Sequence, residues 1–266
     1  MLINTVILLL RELMPLCILF SFMLVLRPTL FADRAFTVWF WITCLVVPFV
    51  SFSVAEVVSD AFSSKGAEIM GITLLLAHFV CLLSATMLSL SKNNTAWLMA
   101  IGAIALITYK GSSLILYLDI YANQLAFWQP LIVGIFIGLG ICMSLLVLFR
   151  FLLSELQGHH RNAWVMAFWV LYLAGNTAEI SNLLLQINAV EWGAKTFFDV
   201  SAYVQDASEY GHLLKALIGF DASPTVLFMA IYIACMGVAT LMLLANRINT
   251  NAVQQRSVRT GTEVQV

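Results

Sequence analysis

Seven long runs of apolar residues divide this chain and restrict the folds open to it. Short polar breaks separate them, and the runs fall at about 2–26, 35–58, 67–91, 96–121, 129–153, 163–187 and 224–246. A helix needs about 20 residues to cross the hydrocarbon core of a bilayer, so each run is long enough to span it. Because 62% of the residues are hydrophobic and only 10% are charged, a soluble globular domain is excluded. The pattern predicts an all-α, polytopic membrane protein with seven transmembrane helices over residues 1–246.

Composition and motifs exclude several classes of function. The net charge of −1 excludes a basic surface for nucleic acid. The five cysteines are scattered without a C-x-x-C pair, which argues against a disulfide framework or a zinc site. The phosphate-binding G-x-x-x-x-G-K-[ST] and the nucleophile motif G-x-S-x-G are both missing. We therefore expect neither an enzyme nor a bound cofactor.

The distribution of lysine and arginine predicts the orientation. Eight of the 13 basic residues fall in the connections after runs one, three and five and in the tail, against three in the connections on the other side. Since Lys and Arg are retained on the cytoplasmic side, we expect an outer N-terminus and a cytoplasmic C-terminus, in a plasma membrane such as a bacterial inner membrane. Acidic residues show the reverse bias. That bias either concentrates cations at the outer face or only reflects the exclusion of basic residues from it.

Two segments outside the runs carry their own predictions. The outer connection 188–223 interleaves aromatic and acidic residues from Trp192 to Glu209, which suits a short amphipathic helix on the membrane or a docking surface for an outer partner. The tail 247–266 is polar and free of aromatic residues, so we expect a disordered cytoplasmic segment. Most tryptophans flank the ends of the runs, as residues anchored in interfacial lipid do.

Charged residues inside the runs are the strongest functional signal. A charge near the middle of a bilayer costs at least ~2.5–3.5 kcal/mol, so such a residue normally faces a partner or a water-filled path. Arg11 and Glu12 lie in run one, Lys110 in run four and Glu179 in run six. At about 1.5 Å per residue, Glu12 and Lys110 lie at nearly the same depth. We expect these two residues to pair if runs one and four touch.

Three further polar residues are candidates by depth and type. Asn176 precedes Glu179 by three residues, which places the two on one helix face, whereas Glu68 and His78 lie along run three. Each is either a ligand or an ordinary polar group satisfied between helices. The residues themselves leave both interpretations open.

Runs one and four are alike in their polar centres. Each places a polar cluster in mid-run with a helix-weakening residue beside it, Pro15 in one and Gly111 in the other. Two three-helix units separated by an odd number of crossings are inverted, an arrangement in which transporters bind their substrate at the interface of the repeats. We predict an inverted 3+3 repeat followed by a seventh helix. The alternative is that these polar groups only hold the helices together.

The last third of the chain resembles a known family. Phe198-Asp199-Val200-Ser201, Gly211-His212-Leu213-Leu214 and Leu217-Ile218-Gly219-Phe220-Asp221-Ala222-Ser223-Pro224 look like the outer segment before the seventh helix of the oxidase-dependent iron transporters. This family comprises the fungal high-affinity iron permeases and their bacterial ferrous-iron permease relatives. Glu68 matches a family glutamate at the start of the third helix. The resemblance implies a permease that passes iron inward, with an outer oxidase or periplasmic iron-handling protein as its partner.

The chain departs from the R-E-x-x-E motif that this family repeats in helices one and four. In run one Arg11 and Glu12 match, but Pro15 takes the place of the second glutamate. In run four the aligned residues are Tyr109-Lys110-Gly111-Ser112-Ser113, so one of four expected carboxylates remains. Iron accepts oxygen ligands, whereas a lysine in the site repels a metal cation and neutralises a carboxylate.

The leading hypothesis is a permease for a metal cation, with iron as the substrate that the resemblance implies. Glu12, Glu68 and Glu179 are its main expected ligands. The other candidates are two further ligands, Asn176 and His78, and four residues that organise the site, Arg11, Lys110, Tyr109 and Ser112. Two alternatives stay open: a transport-inactive or regulatory subunit whose core is locked by a Glu12–Lys110 pair, and a permease for an anionic solute bound by Lys110, Tyr109 and Ser112.

Overall fold

The computed structural model describes residues 2–62, 65–87, 92–122, 128–158, 162–204 and 208–263. Within these ranges the chain forms nine α-helices and one short 3₁₀ helix at Glu191–Ala194. The α-helices are α1 (Leu2–Leu26), α2 (Arg34–Ala61), α3 (Gly66–Met87), α4 (Lys92–Ala122), α5 (Trp128–Gly158), α6 (Asn162–Ala178), α7 (Ile180–Gln186), α8 (Glu209–Ile218) and α9 (Val226–Glu263).

Six helices in the described ranges are long and apolar enough to cross a membrane, namely α1 to α5 and α9. The prediction of a multi-pass helical membrane protein is therefore confirmed. The sixth apolar run differs from the others because it is divided at Glu179 into α6, of 17 residues, and α7, of 7 residues.

The expectation of a disordered tail is wrong for residues 247–263. The helix α9 continues through them to Glu263, and only residues 264–266 of the tail lie outside the described part. Because this stretch contains no proline, every residue keeps the backbone N–H that a continuing helix needs.

The centre of the bundle is formed by α1, α3, α4 and α6. α1 packs against α5 and α4, α3 packs against α4 and α6, and α9 packs against α6. Phe22 of α1 is fully buried, with its ring centroid 5.0 Å from that of Trp169 and 5.7 Å from that of Tyr172. By contrast, α2 and α5 expose many large apolar side chains, as helices facing lipid do.

Two contacts between chain segments show which helix ends lie together at one end of the bundle. We call it the α8 end, because α8 covers it. Thr5 near the start of α1 lies 3.4 Å from the Tyr117 hydroxyl near the end of α4. Lys65, between α2 and α3, donates to the carbonyl of Ile187 after α7 over 2.9 Å. At the opposite end, the connection between α1 and α2 meets the start of α4.

The helix α8 covers the α8 end. Both of its ends are capped, and its backbone lies directly on α6. Ser208 accepts a hydrogen bond from Gly211 N over 3.0 Å at the N-terminus. Gly219 ends the helix in the left-handed conformation, with φ of 69°. A Cβ atom on Gly219 would lie 2.1 Å from Gly175 Cα, so the two backbones are in direct contact. α8 also packs against α1.

In the connection 188–223 an α-helix forms at Glu209–Ile218, and not around the aromatic residues from Trp192 onward for which we predicted the amphipathic helix. Those aromatic residues lie in the 3₁₀ helix, in turns and in irregular backbone; residues 205–207 lie outside the described part. A turn forms where Asp199 accepts a hydrogen bond from Ser201 N over 2.9 Å, and hydrogen bonds from Ser201 hold the pKa of the Asp199 carboxyl below its usual range. Aspartate and serine favour such local bonds, which compete with a helix.

Candidate functional site: a charged cavity beneath α8

Six of the nine candidate residues line one cavity of about 220 Å³ between the bundle and α8. They come from three separate parts of the sequence: α1, α4 and the junction of α6 and α7. The six are Arg11, Glu12, Tyr109, Lys110, Asn176 and Glu179. We call this space the charged cavity.

Four of these residues form an alternating row of charges, here called the charge cluster: Arg11, Glu12, Lys110 and Glu179. The Arg11 Nε and Nη2 atoms lie 2.9 and 2.8 Å from Glu12 Oε1. Lys110 Nζ lies 3.9 Å from Glu12 Oε2 and 2.6 Å from Glu179 Oε2. The side chains of Glu12 and Lys110 are only 5% and 6% exposed. The Arg11 side chain is 55% exposed, so the buried part of the cluster is Glu12, Lys110 and the partly buried Glu179. The two positive and two negative charges of the cluster balance, which lowers the cost of burying the inner ones.

The main partner of Lys110 is Glu179. The Lys110 ammonium donates to both carboxylate oxygens of Glu179, over 2.9 and 2.6 Å. The expected Glu12–Lys110 contact is present but longer, at 3.9 Å. Lys110 therefore joins two carboxylates from different helices instead of one.

Two interruptions of the helices build this site. Pro15 has no N–H, so the carbonyl of Arg11, one turn earlier, loses its usual helical partner at the wall of the cavity. The second interruption is the junction at Glu179, where Thr177 and Ser181 donate to the carbonyls of Leu173 and Ala178 over 2.7 Å each. Such back-bonding weakens and bends a helix. It places Glu179 at the break between α6 and α7.

Tyr109 and Asn176 complete the wall on either side of the cluster. Lys110 Nζ lies 5.3 Å from the centroid of the Tyr109 ring, within the range of a cation–π contact. A Cβ atom on Gly71 would lie 3.1 Å from Tyr109 Cε2, so this glycine leaves the space that the ring occupies. The Asn176 amide donates to the carbonyl of Tyr172 over 2.9 Å, which fixes the direction of the side chain.

The helix α8 adds residues that the sequence reasoning missed. His212, Lys215 and Ala216 line the cavity from above. Lys215 and Ala216 follow His212 by three and four residues, so the three side chains lie on one helix face. This spacing is visible in the sequence and could have indicated that α8 forms a second wall of the cavity. Lys215 Nζ lies 3.8 Å from Asp221 Oδ2, so its charge is partly balanced outside the cavity.

Three predicted residues lie elsewhere. Glu68 is in the first turn of α3. His78 is fully buried, and its Nδ1 atom lies 2.9 Å from the Gly102 carbonyl, which makes it a bridge between α3 and α4. Ser112 donates to the carbonyl of Tyr109 over 3.0 Å. None of the three lines the charged cavity.

The described residues contain no group of three or more His, Cys, Asp or Glu side chains arranged to hold a metal ion. The lining of the cavity contains two carboxylates, Glu12 and Glu179, which both approach the Lys110 ammonium. It also contains the basic side chains of Arg11 and Lys215.

Comparisons with protein-family models, with curated proteins and with solved structures find no match to this chain.

Proposed function

We propose that this protein is a membrane permease that passes a cation from the outer face to the cytoplasm through the charged cavity. One observation carries the proposal: Glu12 and Glu179, on separate helices, approach the same ammonium group within a cavity inside the bundle. Ionisable residues at this depth mark ion or substrate pathways in membrane proteins. Iron is the cation that the resemblance to the iron permeases implies.

In this mechanism Lys110 is a tethered cation that occupies the site in the absence of substrate. An entering cation replaces its ammonium between Glu12 and Glu179, and Lys110 returns when the cation leaves. Arg11 remains paired with Glu12 and keeps that carboxylate in position. Replacing one cation by another keeps the two carboxylates compensated at every stage, which avoids the cost of an unpaired buried charge.

Part of the helix packing supports the inverted repeat that this mechanism uses, whereas the extensive α3–α4 packing has no counterpart of similar extent between α6 and α1. α1 packs against α5 as α4 packs against α2, and α2 contacts α3 as α5 contacts α6. The contacts of α1 with α4 and of α3 with α6 relate corresponding helices of the two units. The charged cavity lies at the interface of these units, where transporters with inverted repeats bind their substrates. Seven crossings follow if α6 and α7 act together as one broken transmembrane helix.

Uptake of Fe²⁺ into proteoliposomes tests the proposal. We expect wild-type vesicles to take up Fe²⁺ faster than empty vesicles, and Glu179→Gln to reduce the rate at least tenfold, since one of the two carboxylates loses its charge. Asp199→Asn is the matched control, because Asp199 is exposed and lies outside the cavity. A wild-type rate equal to that of empty vesicles contradicts Fe²⁺ transport.

A transport-inactive or regulatory subunit is the second candidate. It is favoured by the tight contact of Lys110 with both oxygens of Glu179, which suits a permanent lock between α4 and the α6–α7 junction. In that case vesicles with the wild-type protein take up no cation, and the only effect of substitutions in the charge cluster is on stability.

A further inference from the structure

A second cavity that contains charged side chains lies at the end of the bundle opposite α8. It has a volume of about 660 Å³ and is bounded by the connection between α1 and α2, by the first turns of α2 and by the start of α4. We call it the aromatic cavity. Its size falls within the range of small-molecule binding sites, about 300–1,000 Å³.

The wall of this cavity is aromatic on one side and charged on the other. The ring of Trp97 lies 4.7 Å from that of Trp39 and 5.5 Å from that of Phe36, measured between centroids. Trp39 and Trp97 lie five residues into their helices, about 8 Å from the helix ends. That is the depth at which tryptophan meets the interface between lipid headgroups and hydrocarbon.

The rim of the aromatic cavity carries a positively charged side chain that is accessible to a ligand. Arg27 lines the cavity, is exposed, and forms no ion pair with any residue that the structure describes. Asp33, the one acid among the described residues that line the wall, accepts a hydrogen bond from Ala35 N over 3.0 Å and caps α2. A guanidinium group recognises phosphate through paired, charge-assisted hydrogen bonds.

The aromatic cavity continues into an apolar stripe along α2. Ile42, Val46 and Phe49 follow Trp39 at intervals of three or four residues, so they lie on the same helix face. They are 56%, 47% and 57% exposed, and no part of the described chain covers them. A free phosphate has no apolar part that could pack against this stripe, whereas an acyl chain fits along it.

We propose that the aromatic cavity binds one phospholipid, with its phosphate at Arg27, its glycerol region against Trp39 and Trp97, and an acyl chain along the α2 stripe. This site is separate from the charged cavity and does not depend on the proposed transport function. It requires a ligand with both a phosphate and an apolar tail, which sets it apart from sites for inorganic anions.

Native mass spectrometry of the full chain in detergent tests this site with three probes. Dioleoyl phosphatidylglycerol carries both features, dioleoylglycerol lacks the phosphate, and glycerol 3-phosphate lacks the tails. We expect one tightly held phosphatidylglycerol per chain and weaker binding of the other two. Equal binding of dioleoylglycerol would overturn the role of the phosphate, and equal binding of glycerol 3-phosphate would overturn the role of the tail.

Two variants locate the site on the chain. Arg27→Gln should weaken phosphatidylglycerol binding roughly fivefold, the effect of one basic group near a lipid headgroup. Arg34→Gln is the matched control, because Arg34 is exposed near the same connection but does not line the cavity. Trp39→Ala should weaken binding without changing the charge. If Arg27→Gln and Arg34→Gln bind phosphatidylglycerol equally well, the proposal is wrong.

Discussion

Two cavities that contain charged residues lie at opposite ends of this bundle, and they differ in how those charges are paired. In the charged cavity the side chains of Glu12 and Lys110 are almost fully buried, and each contacts an opposite charge. In the aromatic cavity Arg27 is exposed and forms no ion pair among the described residues. The first cavity is about 220 Å³ and the second about 660 Å³.

This difference determines what a substitution does in each place. Removing one member of a buried ion pair leaves an uncompensated charge in a medium of low dielectric constant, so the folded state itself is destabilised. Removing an exposed charge changes the stability little and affects only the ligand that the charge binds. The comparison therefore predicts a ranked series of effects on stability.

The largest effect is expected at Lys110. Lys110→Met leaves Glu179 without its ammonium partner and Glu12 with Arg11 alone, and should lower the free energy of unfolding by about 3–5 kcal/mol, as for other broken buried pairs. Adding Glu179→Gln removes the second charge as well and should restore part of the loss. Denaturant titration in detergent measures both changes. Lys195→Met, at an exposed position, is the control. If the Lys110→Met protein is as stable as this control, Lys110 does not form a stabilising buried ion pair.

A smaller effect is expected where α8 lies on α6 above the charged cavity. Gly219→Ala puts a Cβ atom at a left-handed position and within 2.1 Å of Gly175 Cα, so α8 must shift. We expect a loss of about 1–3 kcal/mol, in the range of local backbone strain. Gly237→Ala is the control, since a Cβ atom there meets no other atom within 4 Å. Thermal unfolding that is the same for both variants would mean that α8 is not tightly bound.

The smallest effect is expected at the aromatic cavity. Arg27→Gln should change the free energy of unfolding by no more than about 0.5 kcal/mol, because the side chain is exposed and unpaired among the described residues. The same denaturant titration, done without added lipid, measures it. A loss as large as that of Lys110→Met would remove the contrast between the two cavities.

Sequence reasoning succeeded where hydrophobicity alone decides the structure. The run 2–26 became α1 at Leu2–Leu26, because an apolar stretch of this length has only the helix available in a membrane. The depth of charged residues also follows from counting along a helix. For that reason Glu12 and Lys110 were expected near each other, and both line the charged cavity.

It failed where the outcome depends on local breaks and on helix rotation. The pairing of Lys110 with Glu179 depends on the junction between α6 and α7, which arises from several side-chain bonds to backbone carbonyls. A continuous helix with the same sequence spacing would direct Glu179 differently. The position of α8 over the cavity depends on the contact of Gly175 with Gly219, which are far apart in the chain. Neither the Lys110–Glu179 pair nor the Gly175–Gly219 contact produces a periodic pattern in the sequence.

The central claim is that Lys110 occupies a position that a free cation can take between Glu12 and Glu179. The thermal stability of Lys110→Met with and without Fe²⁺ tests it most directly. We predict that Fe²⁺ raises the melting temperature of Lys110→Met more than that of the wild type, in which it must first displace the ammonium. Ligand at 100 times its dissociation constant stabilises a protein by about 2.7 kcal/mol. The further change Glu179→Gln should abolish this effect. If Fe²⁺ stabilises all three proteins equally, or none of them, the claim is wrong.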